Sequence, residues 1–232
     1  MIGRITELET MGSADGPGIR LVLFLSGCKL RCLYCHNPET WNMSGFRREI
    51  SSEEVLKTYN KYKVYYGNTG GVTFSGGEPL LQSEFVLETI KLLHENNIHT
   101  TLDTAGVGDN YDEILKLVDL VILDVKAVDE DEYRMITGRD IIDFNNFVAK
   151  CQQLNKKLWL RQVIVPGIND DEAHMLKLKQ FASELNNVER IELLPYHSMA
   201  KSKYKEMNIP YRLDTTPDMD KERCKQLELL LK

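Results

Sequence analysis

Cys28, Cys32 and Cys35 stand in a C-x₃-C-x₂-C pattern within eight residues. A single loop carrying three thiols can turn them onto one centre, and soft thiolates select zinc, copper(I) or an iron–sulfur cluster. A structural zinc site or a closed cubane normally takes four protein ligands. The other two cysteines, Cys151 and Cys224, fall on the apolar stripes of helix-like segments and read as small core hydrophobes. The loop therefore offers three thiols and leaves one metal position for something that is not a cysteine. An open position is what catalytic sites keep and structural sites close. The competing reading is a Cys₃His zinc knuckle completed by His36. Against it stands the difficulty of turning two adjacent side chains, Cys35 and His36, onto one ion.

The cysteine loop leaves an apolar run, Leu21-Val22-Leu23-Phe24-Leu25, and five further runs end in the same way. Val72-Thr73-Phe74 leads into Ser75-Gly76-Gly77-Glu78-Pro79, and Thr100-Thr101-Leu102 into Asp103-Thr104-Ala105-Gly106. Leu120-Val121-Ile122-Leu123 leads into Asp124-Val125-Lys126, Val163-Ile164-Val165 into Pro166-Gly167, and Ile191-Glu192-Leu193-Leu194 into Pro195-Tyr196-His197. Short runs that are apolar on both parities read as buried parallel strands. Between them lie helix-period stripes: Val55, Tyr59 and Tyr62 behind a Ser51/Glu54 capping box; Val86, Ile90 and Leu93; Phe144, Phe147, Val148 and Cys151; Leu178, Phe181 and Leu185; Cys224, Leu227 and Leu231. Six repeats of strand then helix predict an α/β fold with a parallel sheet, either open and doubly wound or curled into an incomplete barrel. In both, ligands gather at the carboxyl ends of the strands, where the polar and Gly-rich residues of this chain stand. Arg161, inside the strand-like Leu158–Val163 segment, needs a partner if it is buried.

Composition narrows the classes. Lys plus Arg number 29 and Asp plus Glu 35, a net charge of −6, which argues against a nucleic-acid partner. Apolar residues at 42 % and charged residues at 28 % describe an ordinary globular chain. No apolar run approaches the roughly 20 residues that cross a bilayer. The first residues lack a basic leader followed by an apolar core, so the expected compartment is the reducing cytoplasm, where cysteines act as ligands or catalysts rather than disulfides. No low-complexity linker divides the chain, and a single domain over residues 1–232 is expected.

The segment Gly27-Cys28-Lys29-Leu30-Arg31-Cys32-Leu33-Tyr34-Cys35-His36-Asn37 resembles the cluster motif of the radical S-adenosylmethionine (SAM) superfamily. The resemblance runs over almost the whole chain: Asp15-Gly16-Pro17-Gly18-Ile19-Arg20, the loop through Thr40-Trp41, Ser75-Gly76-Gly77-Glu78, Asp103-Thr104, Leu123-Asp124-Val125-Lys126 and Leu193-Leu194-Pro195-Tyr196-His197. Within the superfamily it is nearest to the activating enzymes of glycyl-radical enzymes, and among those to the activases of pyruvate formate-lyase. The resemblance implies an incomplete (β/α)₆ barrel of TIM type. It implies a 4Fe–4S cluster on Cys28, Cys32 and Cys35, with SAM on the fourth iron. Further implied SAM contacts are Tyr34, His36, Gly76, Gly77, Glu78, Asp124, Val125, Lys126 and His197. Asp103, Thr104 and Asp124 would share a monovalent cation, and Asp15, His36 and Arg161 would position the glycine-bearing loop of the partner. The implied partners are pyruvate formate-lyase and an electron donor, flavodoxin or ferredoxin. Activases of other glycyl-radical enzymes, small-molecule radical SAM enzymes and the zinc module are the rivals. Many activases of dehydratases and lyases carry an inserted ferredoxin-like segment with extra cysteine clusters, and nothing of that kind lies between Cys35 and Gly76.

Overall fold

A computed structural model describes residues 1–231 of the chain. The elements follow in the order β1 (Ile2–Gly12), β2 (Arg20–Leu25), β3 (Arg48–Ser51), α1 (Ser52–Tyr66), β4 (Gly71–Gly76), α2 (Ser83–Glu95), β5 (His99–Thr104) and α3 (Asp112–Leu117). They continue with β6 (Leu120–Asp124), α4 (Glu130–Thr137), α5 (Ile142–Gln153), β7 (Leu158–Ile164), α6 (Glu172–Ser183), β8 (Val188–Pro195), α7 (Lys201–Glu206) and α8 (Lys221–Leu229). One sheet runs β3-β1-β2-β4-β5-β6-β7-β8. The six strands from β2 to β8 are parallel, and they are the six expected from the apolar runs. β1 and β3 are additions, joined antiparallel at one edge. They escaped sequence reading because β1 alternates charged and apolar residues with a register shift near its middle, and β3 is only four residues long.

The core explains the strand composition. Leu21, Val22, Leu23 and Leu25 of β2 and Val121, Ile122 and Leu123 of β6 are fully buried, as strands covered on both faces must be. The capping box starts α1 as expected: Ser51 Oγ accepts from Glu54 N at 3.2 Å, and Glu54 Oε2 accepts from Ser51 N at 2.8 Å. Val86, Ile90 and Leu93 of α2, and Phe144, Phe147 and Cys151 of α5, turn inward and are buried. Cys151 and Cys224 are both buried, as their place on the apolar stripes required.

The choice between an open sheet and a curled one is settled by what the two ends of the parallel run touch. His36, in the loop after β2, meets His197, after β8, edge to face with ring centroids 4.6 Å apart. The Tyr204 hydroxyl of α7 donates to Cys35 O at 3.1 Å. Lys203 Nζ reaches His36 O at 3.1 Å and Glu39 Oε1 at 2.7 Å. First and last parallel strands thus bring their carboxyl-end loops together, although their edges are not hydrogen-bonded, and the result is an incomplete barrel. The segment between β1 and β2 is tied to β4 and β7 through its carbonyls. Asp15 O accepts from Thr73 Oγ1 at 2.7 Å, and Ala14 O accepts from Arg161 Nη2 at 2.5 Å. The fully buried Arg20 closes the amino end, donating to Thr73 Oγ1, Pro17 O and Val72 O at 2.6, 2.9 and 2.9 Å.

Candidate active site

The curl encloses a cavity of about 420 Å³ at the carboxyl ends of the six parallel strands. That is the size of a site for a small ligand. Cys28, Cys32 and Cys35 line it together, and none is in a disulfide. Among the described residues no three His, Cys, Asp or Glu side chains are grouped to hold one metal ion. A zinc knuckle needs such a grouping. A cubane does not, because it presents a separate iron to each thiol. Burial pushes all three thiols up, Cys32 to about 12; neighbouring thiols add to the shift at Cys28 and Cys32, and Lys126 opposes it at Cys32 and Cys35. Thiolates in this wall therefore need the positive charge of a bound metal group.

Opposite the thiols, Asp124 and Lys126 project to one side of β6's end because they are two residues apart. The pair is in direct contact, and Lys126 Nζ lies 5.3 Å from the centre of the Tyr34 ring. Burial alone would lower Lys126, but the Asp124 carboxylate, together with Tyr34 and Cys32 beside it, outweighs it and holds the ammonium well above its usual range. The second Asp124 oxygen, Oδ1, and the Tyr34 hydroxyl are buried without a partner. A buried acceptor on a cavity wall with nothing to accept from fits a ligand that brings a donor. The thiols, the cavity and this acceptor together suit a cluster with an open iron and an amine-bearing ligand beside it.

The floor carries charge. Asp103 Oδ2 accepts from Ser75 Oγ at 2.7 Å and lies 3.9 Å from Arg161 Nη1. Arg161, buried as its strand position suggested, has the partner it needed: Glu192 Oε2 lies 3.2 Å from both its Nε and its Nη2. Burial raises Asp103, with Arg161 pulling the other way. Asp15 stands beside them and is pushed up to about 6, first by burial and then by Asp103. His36 and His197 are at the exposed mouth, where partial burial, His197 and Lys203 lower His36.

Two of the expected site residues stand one layer back. Val125 is fully buried and does not line the cavity. Glu78 is 1 % exposed and also off the cavity wall. Its Oε1 accepts from Thr104 Oγ1 at 2.6 Å and Leu80 N at 3.2 Å, and its Oε2 from Ala105 N at 3.0 Å. It is a strut that holds the loop after β5 against the turn after β4. The Thr104 hydroxyl joins this strut, donating to Glu78 and accepting from Gly106 N at 2.9 Å, while the residue also lines the cavity. Gly76 and Gly77 do line the cavity, but the structure requires glycine there for a different reason. Gly76 has φ +107°, and a Cβ would sit 2.3 Å from Leu25 N; one on Gly77 would sit 2.3 Å from Gly27 O. The close approach is of backbone to backbone, between the ends of β2 and β4. Glu192, Ser75 and Trp41 also line the cavity without having been singled out from sequence. For Glu192 the signal was present: a carboxylate in an apolar strand raises the same question as Arg161.

Residues 22–178 match the radical SAM superfamily profile. A pyruvate formate-lyase-activating enzyme of Clostridium pasteurianum is 49 % identical over all of this chain and 98 % of its own length. One of Staphylococcus epidermidis is 41 % identical over 97 % of this chain and 93 % of its own. Among solved structures, a domain of the pyruvate-formate lyase-activating enzyme of Bacteroides vulgatus superposes with a TM-score of 0.57 at 25 % identity, covering 70 % of this chain and 92 % of that one. A cavity walled by three thiols at the mouth of an incomplete barrel and full-length similarity at this level agree: the chain belongs to the radical SAM superfamily and, within it, to the pyruvate formate-lyase-activating enzymes.

Proposed function

We propose that this chain activates pyruvate formate-lyase by removing one hydrogen from a glycine α-carbon of that partner, leaving a glycyl radical. The observation that carries the reading is the convergence of three thiols on one cavity, opposite a buried acceptor, in a chain of this family. Cys28, Cys32 and Cys35 would hold the 4Fe–4S cluster. When bound, the cluster and SAM supply a one-electron cleavage that gives methionine and a 5′-deoxyadenosyl radical. Asp124 would accept from the SAM amine, and Lys126 would face its carboxylate. Gly76, Gly77, Tyr34, His36 and His197 would border the nucleoside and methionine parts. Asp103, Thr104 and Asp124 would share a monovalent cation. Glu78 and Val125 would support from behind. Asp15 and Arg161 on the floor and His36 at the mouth would orient the incoming glycine loop. Backbone glycine suits the reaction because an amide nitrogen and a carbonyl flank its α-radical. The cavity lies inside the barrel, so the partner's loop must extend to reach it, and that ordering costs affinity.

The electron donor is a flavodoxin or ferredoxin, the compartment is the cytoplasm, and residues 1–232 act as one radical SAM domain. Among the described residues no helix is long and apolar enough to cross a membrane. The test is isotopic. The protein is loaded with iron and sulfide without oxygen, reduced with SAM present, and given a glycine-loop peptide of pyruvate formate-lyase deuterated at the α-carbon. Deuterium in 5′-deoxyadenosine supports the reading. Unlabelled 5′-deoxyadenosine moves the reaction to another substrate, and no 5′-deoxyadenosine from a loaded protein overturns it.

A further inference from the structure

The loop between Cys28 and Cys32 has two faces. Its thiols line the cavity, while its main-chain carbonyls meet arginines on the outside. Arg31 Nη1 donates to Cys28 O and Leu30 O, both at 2.8 Å, and Arg139 Nε donates to Lys29 O at 3.3 Å. Arg212 Nη2 donates to Arg31 O. Two segments distant in sequence thus add their guanidiniums to the loop's own Arg31 along one short stretch of backbone. All three residues are exposed, and among the described residues none pairs with a carboxylate. Each has nitrogen donors left over after its carbonyl contact. None lines the cavity. In a chain of net charge −6, three uncompensated arginines at the outer face of one loop are a local reversal of sign. Arg31 also lies 4.9 Å from the centre of the Trp41 ring, and Trp41 is itself part of the cavity wall.

We propose that this arginine collar is the docking surface for the electron donor, a small acidic protein carrying a one-electron centre. The inference rests on the functional reading above, which requires one electron per SAM cleaved. One electron leaves the donor's centre and one is gained at the group held by the three thiols; no bond or proton is exchanged. The collar suits that traffic. It backs the loop that carries Cys28 and Cys32 without lining the cavity, and it leaves the His36–His197 mouth free for the glycine-bearing partner. Uncompensated arginines steer an acidic partner and fix its orientation, and they make the encounter salt-dependent.

The test uses the cluster-loaded chain and reduced flavodoxin as the acidic probe. Bleaching of the cluster absorbance is followed by stopped flow over a range of salt, and flavodoxin affinity is measured by titration. Photoreduced deazaflavin, a small reductant that needs no docking, serves in parallel. Arg139→Glu/Arg212→Glu should lower the flavodoxin rate at least tenfold at low salt and flatten its salt dependence. Flavodoxin affinity should fall with it, while the deazaflavin rate stays within twofold. Arg139→Gln/Arg212→Gln should give a smaller loss in the same direction. An unchanged flavodoxin rate beside intact deazaflavin-driven SAM cleavage would overturn the docking surface alone. So would an equal loss with both reductants, which would make the arginines loop supports. A loss confined to glycyl-radical formation on the partner would assign the collar to that partner instead. Absence of SAM cleavage by the deazaflavin-reduced parent chain would overturn the functional reading, and the docking surface with it.

Discussion

Replacing Glu78 by alanine tests whether this residue is a strut or a ligand contact. Its carboxylate takes three donors, the Thr104 hydroxyl and the Leu80 and Ala105 amides. The hydroxyl can turn elsewhere, but the two buried amides cannot, and each unsatisfied buried donor costs about 1–3 kcal/mol. At pH 5 the Glu78→Ala variant should therefore lose about 2–6 kcal/mol. A second effect opposes this loss as pH rises. Burial pushes Glu78 from 4.5 up to about 7. A carboxyl raised on folding contributes stability when protonated, and that contribution is lost as pH climbs from its unfolded value through its folded one. The shift of about 2.5 pH units corresponds to about 3 kcal/mol at about 1.4 kcal/mol per unit. Most of it falls between pH 5 and 8, and alanine has no carboxylate to ionise there. The destabilisation should thus shrink by about 2 kcal/mol between pH 5 and pH 8. Urea unfolding of parent and variant at both pH values measures it. A loss under 1 kcal/mol at pH 5, or one that grows with pH, refutes the strut. A stable Glu78→Gln variant that has lost SAM affinity tenfold would place the side chain in direct contact with the ligand instead.

Three further outcomes follow from the site. Cys28→Ala, Cys32→Ala and Cys35→Ala should each abolish SAM cleavage by the reconstituted protein, while Cys151→Ala, which touches only the core, should spare it; 5′-deoxyadenosine measured by chromatography decides between them. Asp15→Asn should stabilise the chain above pH 6 and be neutral below pH 4, because the raised carboxyl costs stability only once it ionises; screening at this part-exposed position reduces the gain to about 1–2 kcal/mol, and equal unfolding midpoints at pH 8 would contradict it. Gly76→Ala combines a left-handed φ with a Cβ 2.3 Å from Leu25 N, so it should cost more than about 3 kcal/mol by thermal unfolding, and a wild-type midpoint would show that the β2–β4 contact yields.

The sequence alone determined the local vocabulary of this protein. Six short runs apolar on both parities read as buried strands. The Ser51/Glu54 pair could start a helix without help, because a capping box is satisfied within four residues. The spacing of Cys28, Cys32 and Cys35 named a centre with an open position, since ligand count is a local property of the loop. Arg161 announced an ion pair because a charge inside a strand must be compensated. The tertiary structure decided matters that depend on residues far apart in the chain. Periodicity is indifferent to whether a sheet is open or curled; the His36–His197 contact required the strands at both ends to be in place. The resemblance implied ligand contacts at Gly76, Gly77 and Glu78; the structure adds that both glycines are also needed where two strand ends meet, and that Glu78 bridges residues 26 positions away. β1 and β3 lacked a strand signature of their own because edge pairing, of β1 with β2 and of β3 with β1, rather than burial on two faces, holds them. The arginine collar is likewise invisible in sequence: Arg31, Arg139 and Arg212 become one surface only when the chain brings their side chains to the carbonyls behind the thiols.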